Sequence, residues 1–280
     1  FGKPGKIPCR CLGVRFDLTN VISKWRYGVL LLPLPLLVAV VYIVPFLAVL
    51  KWSFSEPEAG FGQYVRIATD PVIQSVLLRT LRICIIATAA SVTVAYAIAY
   101  NLVFGMRTTR RLISYCVLIP FWISVLIRAF GWLLLLRNNG LINDFLVGSG
   151  ILSEPLSLVR NELGSVIGIV HYLIPFAVFP LASALRQIDP RVLQAASSLG
   201  AGRFQIFWQV TMPLSVNGII GAGIITLIFT MGFFITPAIL SGGRSVMVSE
   251  YIYLQLFQTV NWGLASALSI VLVVSVALIA

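Results

Sequence analysis

Residues 189–214 read D-P-R-V-L-Q-A-A-S-S-L-G-A-G-R-F-Q-I-F-W-Q-V-T-M-P-L. Asp189 is placed to cap a helix, and Pro190 fits its first position. Val192, Ala195, Ala196 and Leu199 recur at helical spacing and form one apolar stripe. Gly200 and Gly202 then break that helix. A second short helix is expected from Arg203 to Val210, with Phe204, Phe207 and Trp208 on one face. Pro213 opens the next element. The segment thus reads as helix–glycine–helix with an exposed apolar face. Such a face marks either a partner surface or a helix resting on lipid headgroups, and the residues alone leave both open.

On either side of this segment lie long apolar runs. A membrane-spanning helix needs about 20 apolar residues. Six runs qualify: Val29–Leu50, Ile83–Phe104, Leu112–Leu136, Gly164–Leu185, Leu214–Leu240 and Trp262–Ala280. These are continuous runs without sustained alternation, so they predict helices rather than a barrel. The expected fold is all-α and polytopic, with six transmembrane helices over residues 29–280 and a tail over 1–28. The first long run is of full spanning length, so no cleavable leader is expected.

Composition agrees. Of 280 residues, 59% are hydrophobic and 10% charged, with 20 Lys and Arg against 9 Asp and Glu. Soluble domains carry roughly 25% charged residues, so a water-soluble globule is excluded, and disorder is excluded by the apolar content. A formal charge of +11 would ordinarily suggest nucleic acid. Sorted by the alternating spans, however, twelve Lys and Arg fall on one side with only Asp17 and Asp189, while the other side carries seven of each sign. The excess therefore reports orientation. The basic side, which holds both termini and the 189–211 segment, is expected to be cytoplasmic.

The remaining charge is Arg128, inside the third span. An arginine at a helix centre costs about 2.5–3.5 kcal/mol on insertion scales, so it needs a partner. Phe121, Ser124, Arg128 and Trp132 would share one helical stripe, with Trp132 available for a cation–π contact. Arg128 either lines a solute path or bonds backbone carbonyls at a broken helix. Trp122, Trp132, Tyr172, Phe176, Phe229, Phe233 and Phe234 are the aromatic candidates for such a path, each with core or lipid packing as its alternative. Gly232 and Pro237 are positioned to break the fifth span. Gly218, Gly221, Ala222 and Gly223 offer small faces for close helix packing. The lone His171 reads as a packing residue.

Cys84 and Cys116 lie in apolar runs, and Cys9-x-Cys11 has no neighbouring ligands, so neither a disulfide framework nor a metal site is expected. No G-x-x-x-x-G-K-[ST], H-E-x-x-H or G-x-S-x-G is present, and no carboxylate falls within a span. A membrane enzyme or an ion-coupled carrier acting alone would need such groups.

Residues 193–214 resemble the E-A-A-x-x-L-G-A signature of bacterial ABC-importer permease subunits. Pro120–Leu136, Asn139–Leu146, Phe61–Tyr64, Ile174–Leu181, Thr236–Gly243 and Asn261–Leu268 resemble the spermidine/putrescine-type members. The resemblance implies a type I ABC importer permease fold whose 189–211 segment is a coupling helix. Gln194, Ala195, Ala196, Leu199, Gly200, Ala201 and Phe204 would contact the ATPase, with Gln194 standing where the family has Glu. It further implies a non-catalytic chain binding no cofactor, with ATP and Mg on two partner ATPase subunits. The other expected partners are a second permease subunit, a periplasmic solute-binding protein and membrane lipid, with no nucleic acid. The expected solute is a polyamine, and opines, amino-acid derivatives or phosphonates are carried by similar permeases. The expected location is the inner membrane.

Overall fold

The computed structural model describes residues 33–56 and 59–280. The expected tail 1–28, Cys9, Cys11 and the first residues of the first span lie outside the described residues. The chain divides into two units, Phe1–Ala48 and Val49–Ala280. In the first, helix α1 (Pro33–Ser55) begins; it continues into the second.

Among the described residues all regular structure is helical. After α2 (Gly62–Thr69), Asp70 caps the long helix α3 (Pro71–Phe104): its carboxylate accepts from the Val72 amide, and Pro71 occupies the first position. This helix has 34 residues and starts twelve residues before the expected Ile83. Its extra turns carry Arg79 and Arg82, which pair with Glu162, at the start of α7 (Glu162–Arg186). Helix α3 packs chiefly on α7 and on α11 (Val216–Met231).

The expected third span, Leu112–Leu136, is not one helix. It is α4 (Arg107–Trp122) and α5 (Val125–Leu136), separated where Ile123 and Ser124 turn extended. Pro120 removes an amide donor in the last turn of α4 and so helps to end it there. Val117 of α4 packs with Ala99 and Leu185 near the basic end of the bundle. Val125 packs with Ile83, Leu173 and Met247 nearer the other end. The two halves together therefore traverse the bundle, and α6 (Leu141–Gly148) follows beyond α5.

The expected fifth span, Leu214–Leu240, is also revised. A helical stretch Arg203–Leu214 meets α11 at a 63° bend. The spanning helix stops at Met231, and Gly232–Phe234 separate it from a short helix, α12 (Ile235–Ser241). The break lies at Gly232, as its sequence suggested. Pro237 instead sits within α12. A further helix α13 (Val248–Phe257) precedes α14 (Trp262–Ile279). Among the described residues, five stretches are long and apolar enough to cross a membrane, and the bent pair makes a sixth. One of them runs Val125–Gly148, rather than starting at Leu112, because the helix is broken at Ile123–Ser124 and α4 alone has 16 residues.

Close packing depends on two glycines. A Cβ on Gly218 would come within 2.3 Å of the Ala184 Cβ, and one on Gly168 within 2.5 Å of a Leu240 methyl. These contacts bring α11 and α12 against α7. Ala222 is buried in the same seam, whereas Gly221 and Gly223 face open space.

Candidate functional site

Two groups of residues stand out: an exposed segment at the basic end and an aromatic network inside the bundle.

The exposed segment follows α7. Asp189 accepts from the Arg191 amide at 2.9 Å and starts α8 (Pro190–Ser198). The Leu199 and Ala201 amides donate to the Ala195 and Ala196 carbonyls, closing the helix through Gly200. Gly200 has φ +86°, and a Cβ there would touch nothing, so conformation and not crowding requires glycine. The Gly202 amide donates to Gln205 Oε1 at 3.0 Å and opens α9 (Arg203–Ile206). Leu199 is 89% exposed and Phe204 76%. Gln194, Ala195 and Gly200 are exposed as well, while Ala196 and Ala201 are half-buried.

Trp208 meets Phe207 edge-on at 5.4 Å and Phe204 at 6.1 Å, so the three rings adjoin one another in series. A π-helical turn, Phe207–Thr211, carries Phe207 inward, where its ring packs edge-on to Tyr96 and Tyr100 at 5.8 and 5.4 Å. The wider π turn rotates consecutive side chains by less than an α turn does, which lets Phe207 reach α3 while keeping its contact with Trp208. The Tyr96 and Ser215 hydroxyls, 2.8 Å apart, tie the following bend to α3. The segment is thus anchored by Phe207 and Leu193 while its Leu199–Phe204 face stays free.

Within the bundle, Arg128 is 8% exposed. Its Nη2 donates to the carbonyls of Pro120 and of Ile123, the latter at 2.8 Å. Both carbonyls lie at the end of α4, where that of Pro120 also accepts from the Ile123 amide at 3.2 Å, so the cation caps a helix C-terminus, where the dipole favours it. Its guanidinium lies 5.0 Å from the centre of the Tyr172 ring. The expected partner, Trp132, is instead edge-on to His171, and its Nε1–H donates to His171 Nδ1 at 3.1 Å. This bond assigns the His171 proton to Nε2. The break at Ile123–Ser124 also dissolves the expected stripe from Phe121 to Trp132.

Tyr172 begins a connected set of rings. It stacks on Phe176 at 5.3 Å and meets Phe233 at 4.8 Å. Phe176 lies 4.7 Å from Phe229 and 5.5 Å from Phe121. Phe121 reaches Phe179 and Trp122, both at 6.3 Å. The structure therefore joins Trp122, Arg128, Tyr172, Phe176, Phe229 and Phe233, and leaves Trp132 with His171 beside them. Phe234 is not part of the set: its ring packs on Tyr253 at 5.0 Å. Phe121 and Phe179 belong to the network and were missed; the signal for Phe121 was its place beside Trp122 in P-F-W. Phe233 is buried, whereas Phe229 and Trp122 keep open faces. Among the described residues no carboxylate belongs to the network.

A bundle of apolar crossings, with a chain of rings running from the buried Phe233 to the exposed Trp122 and an unpartnered helical segment at its basic end, suits a transport permease. Residues 91–280 match the family model described as binding-protein-dependent transport system inner membrane component. A spermidine/putrescine transport system permease protein PotB from Haemophilus influenzae is 35% identical over 210 residues, covering 75% of this chain and 73% of that one. The PotB of Escherichia coli is 31% identical, covering 79% of this chain and 80% of its own. The fold is shared with a chain in the crystal structure of a bacterial alginate ABC transporter bound to its alginate-loaded periplasmic protein, at a TM-score of 0.77 and 19% identity, with 91% of each chain covered. This chain belongs to the binding-protein-dependent transport system inner membrane component family, and is a multi-pass inner-membrane permease of the ABC-importer class.

Proposed function

We propose that this chain passes a polyamine through the membrane as one permease subunit of an ATP-driven importer. The connected aromatic rings carry the reading. Arg128 keeps its charge and is held structurally at the α4–α5 break, its Nη2 on two carbonyls and its guanidinium against the Tyr172 ring. What Tyr172, Phe176, Phe229, Phe233 and Trp122 offer is a series of ring faces. Ammonium groups are drawn to such faces by about 0.5–1 kcal/mol where exposed and about 2 kcal/mol where desolvated. Weak successive sites suit transit, since a polycation held by a buried carboxylate would leave slowly. The systems to which the PotB relatives belong, named for spermidine and putrescine, support the same solute class.

In this reading both termini are cytoplasmic, and α8 with the Gly200 turn is the coupling helix. Gln194, Ala195, Ala196, Leu199, Gly200, Ala201 and Phe204 contact a partner ATPase, where ATP and Mg bind and hydrolysis occurs. This chain holds no cofactor and catalyses nothing. A second permease subunit, two ATPases and a periplasmic solute-binding protein complete the importer. The solute enters when nucleotide binding moves the coupling segment and the ring-lined face opens outward.

The test is uptake of labelled spermidine by the complete complex in liposomes. Saturable, ATP-driven uptake inhibited by putrescine is expected, with no inhibition by sulfate or an opine. Purification without any ATPase chain, or uptake indifferent to putrescine, refutes the reading.

A further inference from the structure

At the end of the bundle opposite α8, three arginines converge on one concavity of about 500 Å³. Arg137 ends α5, Arg160 lies in the loop that enters α7, and Arg244 follows α12. Asn138 and Ser157 add polar groups, and Leu133 and Leu134 form an apolar wall. All three arginines are exposed, and among the described residues none is paired with a carboxylate. The neighbouring acid, Glu162, is taken by Arg79 and Arg82.

The backbone is built around one of them. Arg160 has φ +62°, in the left-handed region that a non-glycine residue rarely adopts. Its amide is held by the Leu240 carbonyl at 2.8 Å. Its side-chain stem lies across Gly242, where a Cβ would come 3.2 Å from Arg160 Cγ. Glycine at 160 would remove the strain, so it is the guanidinium that the strained position supplies. Like charges brought together without counter-charges repel one another, and an anionic partner would relieve that repulsion. Arginine forks suit carboxylates in particular, because two parallel N–H groups match the two oxygens.

We infer that Arg137, Arg160 and Arg244 form a socket for carboxylate side chains on the solute-binding protein. This rests on the polyamine-importer reading above, and its chemistry follows from it. A soluble protein that holds a polycation must surround it with acids and aromatic faces, so its mouth is anionic. The socket matches that mouth in charge, and it stands next to α12 and α5, the elements that lead to Phe233 and Arg128. Seating the acidic rim here places the released polycation over the ring-lined face. The same arginines compete with the solute for the rim carboxylates, which favours its release on docking.

The experiment uses the complete importer in nanodiscs of phosphatidylcholine and measures docking of the spermidine-loaded solute-binding protein across a salt series. Arg137→Glu combined with Arg244→Glu should weaken docking by about tenfold or more and flatten its salt dependence. Arg137→Lys with Arg244→Lys should retain docking within about threefold. Unchanged affinity and salt slope in the charge-reversed complex overturn the inference. So does equal loss in the lysine variant, which would make the arginines structural. An effect seen only after phosphatidylglycerol is added would assign the socket to lipid phosphate and likewise overturn it. Failure of the wild-type complex to dock any binding protein overturns the importer reading itself, and this inference with it.

Discussion

Arg128 on α5 donates to the carbonyl of Ile123, at the end of α4, across the break between the two helices. One side chain thereby holds two half-helices in a fixed relation inside an apolar bundle. A hydrogen bond from a charged donor contributes about 1.5–3 kcal/mol. Arg128→Leu removes the donor to the Ile123 carbonyl and leaves the Pro120 carbonyl with the Ile123 amide alone, so the complex should melt several degrees lower and lose spermidine uptake by at least about tenfold. Arg128→Lys reaches fewer acceptors and should fall between. Thermal scanning and liposome uptake on the two variants check this; a lysine variant equal to wild type in both would show that the bridge is dispensable.

The Gly200 turn makes a second test. A β-branched residue at φ +86° is a steric outlier, costing roughly 1–2 kcal/mol, so Gly200→Val should distort the exposed segment. Gly200→Asn, which tolerates left-handed backbone, should retain transport. Leu199→Glu alters a side chain that touches little within this chain, so folding should persist while solute-stimulated ATPase activity collapses. Pull-down of the ATPase chain and ATPase assays on the three variants separate loss of turn from loss of contact.

Phe176 is the ring through which Tyr172, Phe229 and Phe121 communicate. Phe176→Ala should raise the KM for spermidine by about tenfold, equivalent to roughly 1.4 kcal/mol. Phe176→Tyr should stay close to wild type. Phe234→Ala, outside the network, should leave KM unchanged. Initial uptake rates over a range of spermidine concentrations measure all three.

Glu250 supplies a pH-dependent prediction. It lies in α13, outside the candidate spans, and one of its carboxylate oxygens is buried without a partner. Burial pushes this carboxyl above its ordinary value of 4.5, against a smaller lowering by the Met247 backbone. The folded state thus binds its proton more tightly than the unfolded state. Stability from this group is therefore present below pH 4.5 and is lost as pH rises through the folded value. Glu250→Gln should raise the melting temperature at about pH 7.5, and the gain should shrink toward pH 4.5. A gain independent of pH, or none, contradicts the assignment.

Much of this was legible in local signals. Asp189, Pro190 and Gly200 act on their own neighbours, so the helix–glycine–helix could be placed within a residue or two. The apolar runs likewise located the helical crossings, though not the breaks at Ile123–Ser124 and Gly232. What escaped were relations that a local rule does not contain. Arg128 was readable as a cation needing a partner, but its partners depend on the break at Ile123–Ser124, which no glycine marks and Pro120 signals only from upstream. Phe233 and Phe234 are adjacent and equally aromatic, yet the break at Gly232 sends them to Tyr172 and to Tyr253. The packing of Phe207 on Tyr96 and Tyr100 of α3 was likewise not contained in its local spacing. The arginine socket was invisible because residues 137, 160 and 244 meet only once α5, α7 and α12 are packed.

The bend at Ser215 turns the exposed segment and α11 into a lever. Phe207, seated between Tyr96 and Tyr100, is its fulcrum. The short arm ends at Leu199; the long arm is the 16-residue α11, about 24 Å in length. A tilt of about 5° about the fulcrum would carry the far end of that arm through about 2 Å. That is a large fraction of the 4.7 Å between the Phe229 and Phe176 rings. A small displacement of the exposed segment, carried along such an arm, would reach a ring pair whose Phe229 member keeps an open face.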